Sequence, residues 1–238
     1  MLSLTRLNQT LQFPDTNYAL EDPNGLLAFG GDLTEKRLLL AYSQGIFPWF
    51  SQGEPIMWWS PNPRGILPIS DFKCSKSLGK FSRKCGYAVT INKNFNNVIE
   101  ACASITRNDS GTWITKHMID AYKHLHIRGH AHSIEVWDQQ KQLVGGLYGV
   151  IVGKVFCGES MFHRVTNASK LAFMNLVTLL KEYNCSFIDC QMQNPHLESL
   201  GCIEVPRDEF LKLLQKESNE HLDPSLWTPR CIKSNTCL

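Results

Sequence analysis

Three polar side chains in two short strings could handle a proton or a cation: Glu159 in FCGESMF, and Asp189 and Gln191 in FIDCQ. A carboxylate accepts hydrogen bonds from an amine and balances its charge, while an amide beside it can accept or donate without ionising. Each string reads as an apolar strand that ends on its acid, so both acids would reach one edge of a sheet. Two carboxylates and an amide sharing a small space could receive a cation. Against that, strand-end acids commonly serve turns and caps; Glu159 could cap the helix that follows, and Asp189 could close a turn.

Residues 45–64, GIFPWFSQGEPIMWWSPNPR, set Pro48, Pro55, Pro61 and Pro63 among Trp49, Phe50, Trp58 and Trp59. Proline fixes φ and removes a backbone donor, so this composition predicts a rigid loop rather than a helix or central strand. Its aromatic faces could wall a pocket for an apolar side chain or a base, or plug the junction of two domains.

Lys76, Lys80 and Lys84 recur every four residues with Lys73 and Arg83 beside them, which gives one helix face several positive charges and no acid. Such a face suits phosphates, and it could equally be a solvated lysine face. The stretch HLHIRGHAH places His124 and His126 on different helix faces, and His130 and His132 on a turn and an edge. No CxxC or HExxH accompanies them, so no metal site is expected. Cys157 and Cys190 lie near the acids without a clear histidine base, and read as small buried hydrophobes.

The totals limit what these groups can be part of. A chain of 238 residues fits one large or two small domains. Nine cysteines without a CxxC pair, behind an N-terminus that lacks the layout of a signal peptide, predict reduced thiols in the cytosol. No apolar run is long enough to span a bilayer, so membrane insertion is not expected. With a net charge of +2, a nucleic acid would have to be held by a local patch.

The elements that must position these groups follow from periodicity and punctuation. Residues 23–33 form a Gly-rich turn region, and Thr34 caps a short helix over 34–44 that Gly45 stops. Prolines make 61–70 a stiff linker or extended edge. Beyond it, helices are expected over 75–84, 94–104, 115–128, 168–183 and 206–216, and strands over 87–92, from His132, 143–152, 154–158 and 185–189. This is an α+β arrangement with a mixed, mostly antiparallel sheet and flanking helices, and its order is similar to that of GNAT-type acyltransferases. Acetyl-CoA-dependent members of that fold hold the pyrophosphate on a Gly-rich turn before a helix. The corresponding segment here, CGESMFHRVTNASKLAF, has no glycine after Gly158, so an acyl donor other than acetyl-CoA is expected.

The strings PNGLLAFGGDL, GIFPWFSQGEPIMWWSPNPR, GTWIT, HAHSIEVW, LVGGLYG, FCGESMF, NASK, IDCQ and WTPRC occur in that order. Through them nearly the whole chain resembles the leucyl/phenylalanyl-tRNA-protein transferases. The resemblance implies a cytoplasmic, monomeric aminoacyltransferase without metal, cofactor or membrane partner. Its implied division is a small N-terminal domain at 1–63 and a GNAT-like domain at 64–238. The implied activity moves Leu, Phe or Met from aminoacyl-tRNA to the α-amine of proteins that begin with Arg or Lys, creating an N-degron for N-end-rule degradation. The implied aminoacyl-adenosine pocket is Trp49, Trp113, Leu147, Phe156, Leu176 and Ile188; the implied catalytic set is Asp189, Gln191 and Glu159; and the implied tRNA contacts are Lys76, Lys80, Arg83 and Lys84.

Overall fold

The computed structural model describes residues 4–105 and 112–233. Its first 60 or so residues build a four-stranded sheet: β1 (Thr5–Leu7), β2 (Leu26–Gly30), then helix α1 (Glu35–Ser43), β3 (Phe47–Pro48) and β4 (Met57–Trp59), in the order β1-β2-β4-β3. Two expectations need correction here. The Gly-rich stretch 23–33 contains strand β2, because its glycines bracket the apolar run rather than interrupt it. At Gly25 the chain turns with φ +91°, and a Cβ there would come within 2.5 Å of the Pro61 backbone, so only glycine fits.

The Pro- and Trp-rich segment is likewise not an irregular loop. Phe47 and Pro48 pair with Trp59 and Trp58, and β4 pairs on its other side with β2. Pro48 sits on an edge strand, where its missing N–H costs no ladder bond, and the other prolines fall outside the strands. Trp58 therefore occupies an inner strand, fully buried, with its indole N–H donating to Gly30 O at 2.9 Å.

The remaining elements run β5 (Arg64–Pro68), α2 (Lys76–Lys84), β6 (Ala88–Ile91), α3 (Phe95–Ser104), α4 (Lys116–Ile127), β7 (Ala131–Trp137), β8 (Leu143–Val152), β9 (Val155–His163), α5 (Ala168–Glu182), β10 (Phe187–Gln191), α6 (Pro195–Ser199), β11 (Ile203–Val205), α7 (Arg207–Ser218) and β12 (Arg230–Lys233). The strands form a second sheet, β11-β5-β10-β9-β8-β7-β6-β12, in which β9 and β10 pair in parallel and the other described pairs are antiparallel. The helices expected from periodicity are present, with Ser75, Asn94 and Thr115 each accepting a bond from a backbone N–H of the first turn. Thr34 stands at the N-cap of α1 but bonds to Asp32 instead of capping.

Two differences bear on function. The stretch 61–70 is no linker: β5 lies inside the sheet, hydrogen-bonded to both β10 and β11. Strand β9 does not stop at Gly158 but continues to His163, so Glu159 lies within it rather than at its end. Side chains alternate between two cores. One face of the large sheet packs on α5 through Leu147, Phe156 and Ile188 with Leu176 and Leu180. The other face joins α3, α4 and α7 to the small sheet, in a cluster that runs from Leu27 and Trp58 to Tyr122, Tyr148 and Phe210.

Candidate active site

Strands β9 and β10 pair only at Phe156↔Ile188 and Cys157↔Asp189. Just beyond those pairs both strands break register, β9 between Gly158 and Ser160 opposite β8, and β10 between Asp189 and Gln191 opposite β5. A bulge bends its strand and re-aims the extra side chain, and here two bulges let neighbouring strands separate. Gly149 faces the first bulge at so close an approach that a Cβ would meet Cys157 O at 2.3 Å. Between the separated strands, α5 and the β3–β4 hairpin lies a cavity of about 950 Å³.

The structure places Trp49, Trp113, Leu147, Phe156, Leu176 and Ile188 all on the wall of this cavity. Trp49 is 37 % exposed and packs on Trp59 with ring centroids 5.3 Å apart, while the Trp59 indole N–H donates to Trp49 O at 2.7 Å. So the hairpin divides its tryptophans: Trp49 and Trp59 reach the cavity, and Trp58 fills the core beneath. The same wall also carries polar groups: Glu159, Gln191, Gln193, Asn194 and His196, and Glu54 on the hairpin turn.

The three polar residues singled out from sequence are close together but do not share one environment. Asp189 is buried and is not on the cavity wall. Arg64 grips it with two bonds, Nε to Oδ1 at 2.8 Å and Nη2 to Oδ2 at 2.7 Å. The third guanidinium nitrogen donates to Gly45 O at 2.9 Å, and the Phe47 and Phe210 rings lie 5.1 and 4.4 Å from the guanidinium carbon. Asp189 Oδ1 also accepts the Gln191 N–H at 3.0 Å, which holds Gln191 in a left-handed conformation, φ +57°. Such a conformation is strained for a residue with a Cβ and persists only where neighbours fix it. Asp189 thus aims the Gln191 side chain, whose Nε2 lies 3.4 Å from Glu159 Oε1.

Glu159 is enclosed by tyrosines. Tyr42 Oη lies 2.7 Å from Oε1 and Tyr122 Oη 3.1 Å from Oε2, both hydrogen-bonded to the carboxyl, and the two hydroxyls also bond to each other. Desolvation pushes the Glu159 carboxyl up to about 7; the tyrosine hydrogen bonds oppose this, the Asp189 charge adds to it and Arg64 offsets part. Burial pushes the Cys157 thiol well up, and a hydrogen bond with Cys202 followed by burial does the same for Cys190. Neither is poised as a thiolate nucleophile.

Arg64, Tyr42 and Tyr122 escaped sequence reasoning. Arg64 falls in the proline-rich string, and its partner is 125 residues away. Tyr42 and Tyr122 sit at ordinary apolar positions of α1 and α4, where helical spacing reports burial and gives no sign of what the hydroxyl meets.

Lys76, Lys80, Arg83 and Lys84 are exposed on α2, and no ion pair engages any of them among the described residues. The helix is anchored by buried Leu78, and Phe72 just before it packs on Phe173 of the cavity wall at 6.0 Å. The histidines go elsewhere. His124 and His130 flank Glu35, at 3.1 and 3.6 Å, while His126 stacks on Phe95 and buried His132 on Trp227. Burial pushes His132 down to about 3, so it is neutral.

Comparison with known proteins places this geometry. The family described as "Leucyl/phenylalanyl-tRNA protein transferase" matches residues 66–215, and its N-terminal domain matches residues 31–62. A protein of that name from Pseudoalteromonas atlantica is 62 % identical, over 97 % of this chain and 98 % of its own length. One from Shewanella denitrificans is 52 % identical over 98 % of this chain and 99 % of its own. Among solved structures, L-PGS from Bacillus licheniformis aligns with 71 % of this chain and 54 % of its own at 12 % identity, with a TM-score of 0.39, too low to carry an inference.

Proposed function

The chain belongs to the leucyl/phenylalanyl-tRNA-protein transferase family and is an aminoacyltransferase, and from that premise we propose that it moves Leu, Phe or Met from aminoacyl-tRNA to the α-amine of proteins that begin with Arg or Lys, creating an N-degron. The observation that carries this is a single cavity whose wall combines the apolar Trp49, Trp113, Leu147, Phe156, Leu176 and Ile188 with the polar Glu159 and Gln191. An aminoacyl ester has the same combination: an apolar side chain on one side of a carbonyl that an amine must reach.

An ester donor is already activated, so the acyl transfer needs no ATP. An α-amine titrates at about 7.7 to 8.0, and roughly a tenth is the free nucleophile at neutral pH. Positioning therefore outweighs base strength. Gln191 hydrogen-bonds the attacking amine, and Asp189 acts through Gln191 rather than on the substrate, since Arg64 already occupies both its oxygens. Differences of one methylene against the apolar wall are worth about 1 to 3 kcal/mol, so the pocket accepts Leu, Met and Phe and disfavours β-branched side chains by shape.

The exposed charges of α2 take the acceptor-stem phosphates, a salt-dependent and weakly sequence-specific contact. Support for the division at 1–63 and 64–238 is that the two sheets use separate stretches of chain. Support for a GNAT-like second domain is its order of elements from β6 to α7. A cytoplasmic, monomeric enzyme is part of this reading on the strength of the family resemblance alone; among the described residues no helix is long and apolar enough to cross a membrane.

The test is transfer itself. Labelled Leu-tRNA, Phe-tRNA or acetyl-CoA is incubated with the protein and a peptide starting with Arg. Label should enter the peptide from both tRNA donors, and label from acetyl-CoA alone would defeat the assignment. The paired variant Lys80→Glu, Lys84→Glu should lose use of the tRNA donor while keeping a short aminoacyl-adenosine donor.

A further inference from the structure

The Glu159 carboxyl and the Tyr42 and Tyr122 hydroxyls form three mutual contacts: Tyr42 to Oε1 at 2.7 Å, Tyr122 to Oε2 at 3.1 Å, and hydroxyl to hydroxyl. Counting protons decides their state. Each tyrosine brings one proton, so with Glu159 ionised two protons serve three contacts. However they are shared, one contact then sets two oxygen lone pairs against each other, between two buried tyrosines and a half-buried carboxyl on the cavity wall. With Glu159 protonated the count closes. Its O–H donates to Tyr122, Tyr122 donates to Tyr42, and Tyr42 donates to Oε1.

Ionising a tyrosine instead is no remedy, because burial followed by the Glu159 charge pushes both phenols well above their ordinary value. Among the described residues no cation bonds to this triangle directly. Arg64 on β5 is committed to Asp189 on β10, Cys157 on β9 is a buried thiol, and Tyr148 on β8 meets Tyr122 edge-on at 5.8 Å. Gln191 offers only its amide N–H, at 3.4 Å.

We propose that Glu159 rests as a neutral carboxylic acid closed into a hydrogen-bond ring with Tyr42 and Tyr122, and that it carries the proton of the transfer. The second half rests on the aminoacyl-transfer reading given above. As the amine nitrogen bonds to the ester carbon and the carbon–oxygen bond to the adenosine breaks, the Glu159 proton passes to the leaving oxygen. The carboxylate so formed takes the proton that the amine nitrogen must shed once it has bonded to the carbon. The enzyme returns to its starting state, and no outside acid is consumed. Tyr42 and Tyr122 are positioning residues, and Tyr42 brings to this site a side chain from α1, beside the small sheet. A neutral Glu159 is also a poor receptor for the acceptor's cationic side chain. That leaves Glu54, the other carboxylate of the cavity wall, which accepts the Ser51 N–H at 2.7 Å.

Infrared spectroscopy reads the first half without donor or acceptor. At about pH 6 the wild type should show a protonated-carboxyl C=O band that fades as the pH passes about 7. The band should be missing in Glu159→Gln and kept in Glu135→Gln and Glu217→Gln, which control for the two buried glutamates outside the ring. Tyr42→Phe and Tyr122→Phe should each move its midpoint, which loss of packing alone would not do. A wild-type spectrum with no Glu159-dependent band at pH 6 overturns the ring.

The transfer assay reads the second half. A carboxamide copies the donor and acceptor of the neutral acid but has no proton to give, so Glu159→Gln should fold and lose about 10²- to 10⁴-fold in turnover with the donor KM little changed. Unchanged turnover overturns the proton role. If the wild type transfers no label while the band is present, the ring stands, its part in transfer falls, and the fault lies with the transferase reading.

Discussion

Asp189 and Glu159 end up within one hydrogen-bond chain yet are treated in opposite ways. Asp189 receives a whole guanidinium, two-pronged and walled by Phe47 and Phe210, and takes no part in lining the cavity. Glu159 receives only phenol hydroxyls and an amide, and faces the cavity. A buried carboxylate gripped by a guanidinium serves as a fixed post, whereas one that is offered neutral donors is driven towards its protonated form and can exchange a proton near neutral pH. Environment assigns the roles; the residue types do not.

That contrast can be broken from either side. The largest effect belongs to Arg64. Replacing it by Met would strand Asp189 in the core, and breaking a buried pair costs about 3 to 5 kcal/mol, read as a lowered urea midpoint. A loss under 1 kcal/mol, as for a surface pair, would mean that Asp189 is wetter than its geometry indicates. For the same reason Asp189→Ala should lower stability as well as transfer.

Next comes Glu159→Gln. The folded carboxyl titrates at about 7 against 4.5 for an ordinary one, so the wild type is favoured below about pH 4.5 and loses stability as the pH climbs to about 7. The variant has no such loss. Its stability relative to wild type should therefore rise between pH 5 and pH 8, by an amount on the order of 3 kcal/mol, read as a rising melting temperature. A difference that stays flat with pH would mean that Glu159 exchanges no proton over this range.

Tyr42→Phe should cost about 1 to 3 kcal/mol, because a buried partner loses its hydrogen bond. Smallest is Leu176→Met on the apolar wall, a swap of similar volume worth under about 1.5 kcal/mol. It should leave the pH dependence of stability untouched while shifting the ranking of Leu, Met and Phe donors.

Much of this molecule was legible in advance where an element is long enough to repeat. Helix α5 shows its spacing through Leu171, Leu176, Leu179 and Leu180, and β8 was bounded at 143–152 from its apolar run. Short elements were missed. Strands β3 and β4 span two and three residues, too few to display a period, and prolines there read as loop although they mark an edge. Strand β5 was hidden in the same way between Pro63 and Pro68. At the site, Glu159 and Asp189 could be recognised as acids on neighbouring strands. The bulge that keeps β9 going past Glu159 could not be seen, because it exists only against β8.

By itself, then, the sequence determined the long helices, the central strands, the family and the residues that wall the cavity. What only the tertiary structure decided is which charge each carboxylate keeps. Arg64 reaches Asp189 across 125 residues, and Tyr42 reaches Glu159 across 117. Such partners leave no mark on local spacing, since they meet only after sheets and helices have packed, and the polarity of a buried site is set by the groups that packing brings to it.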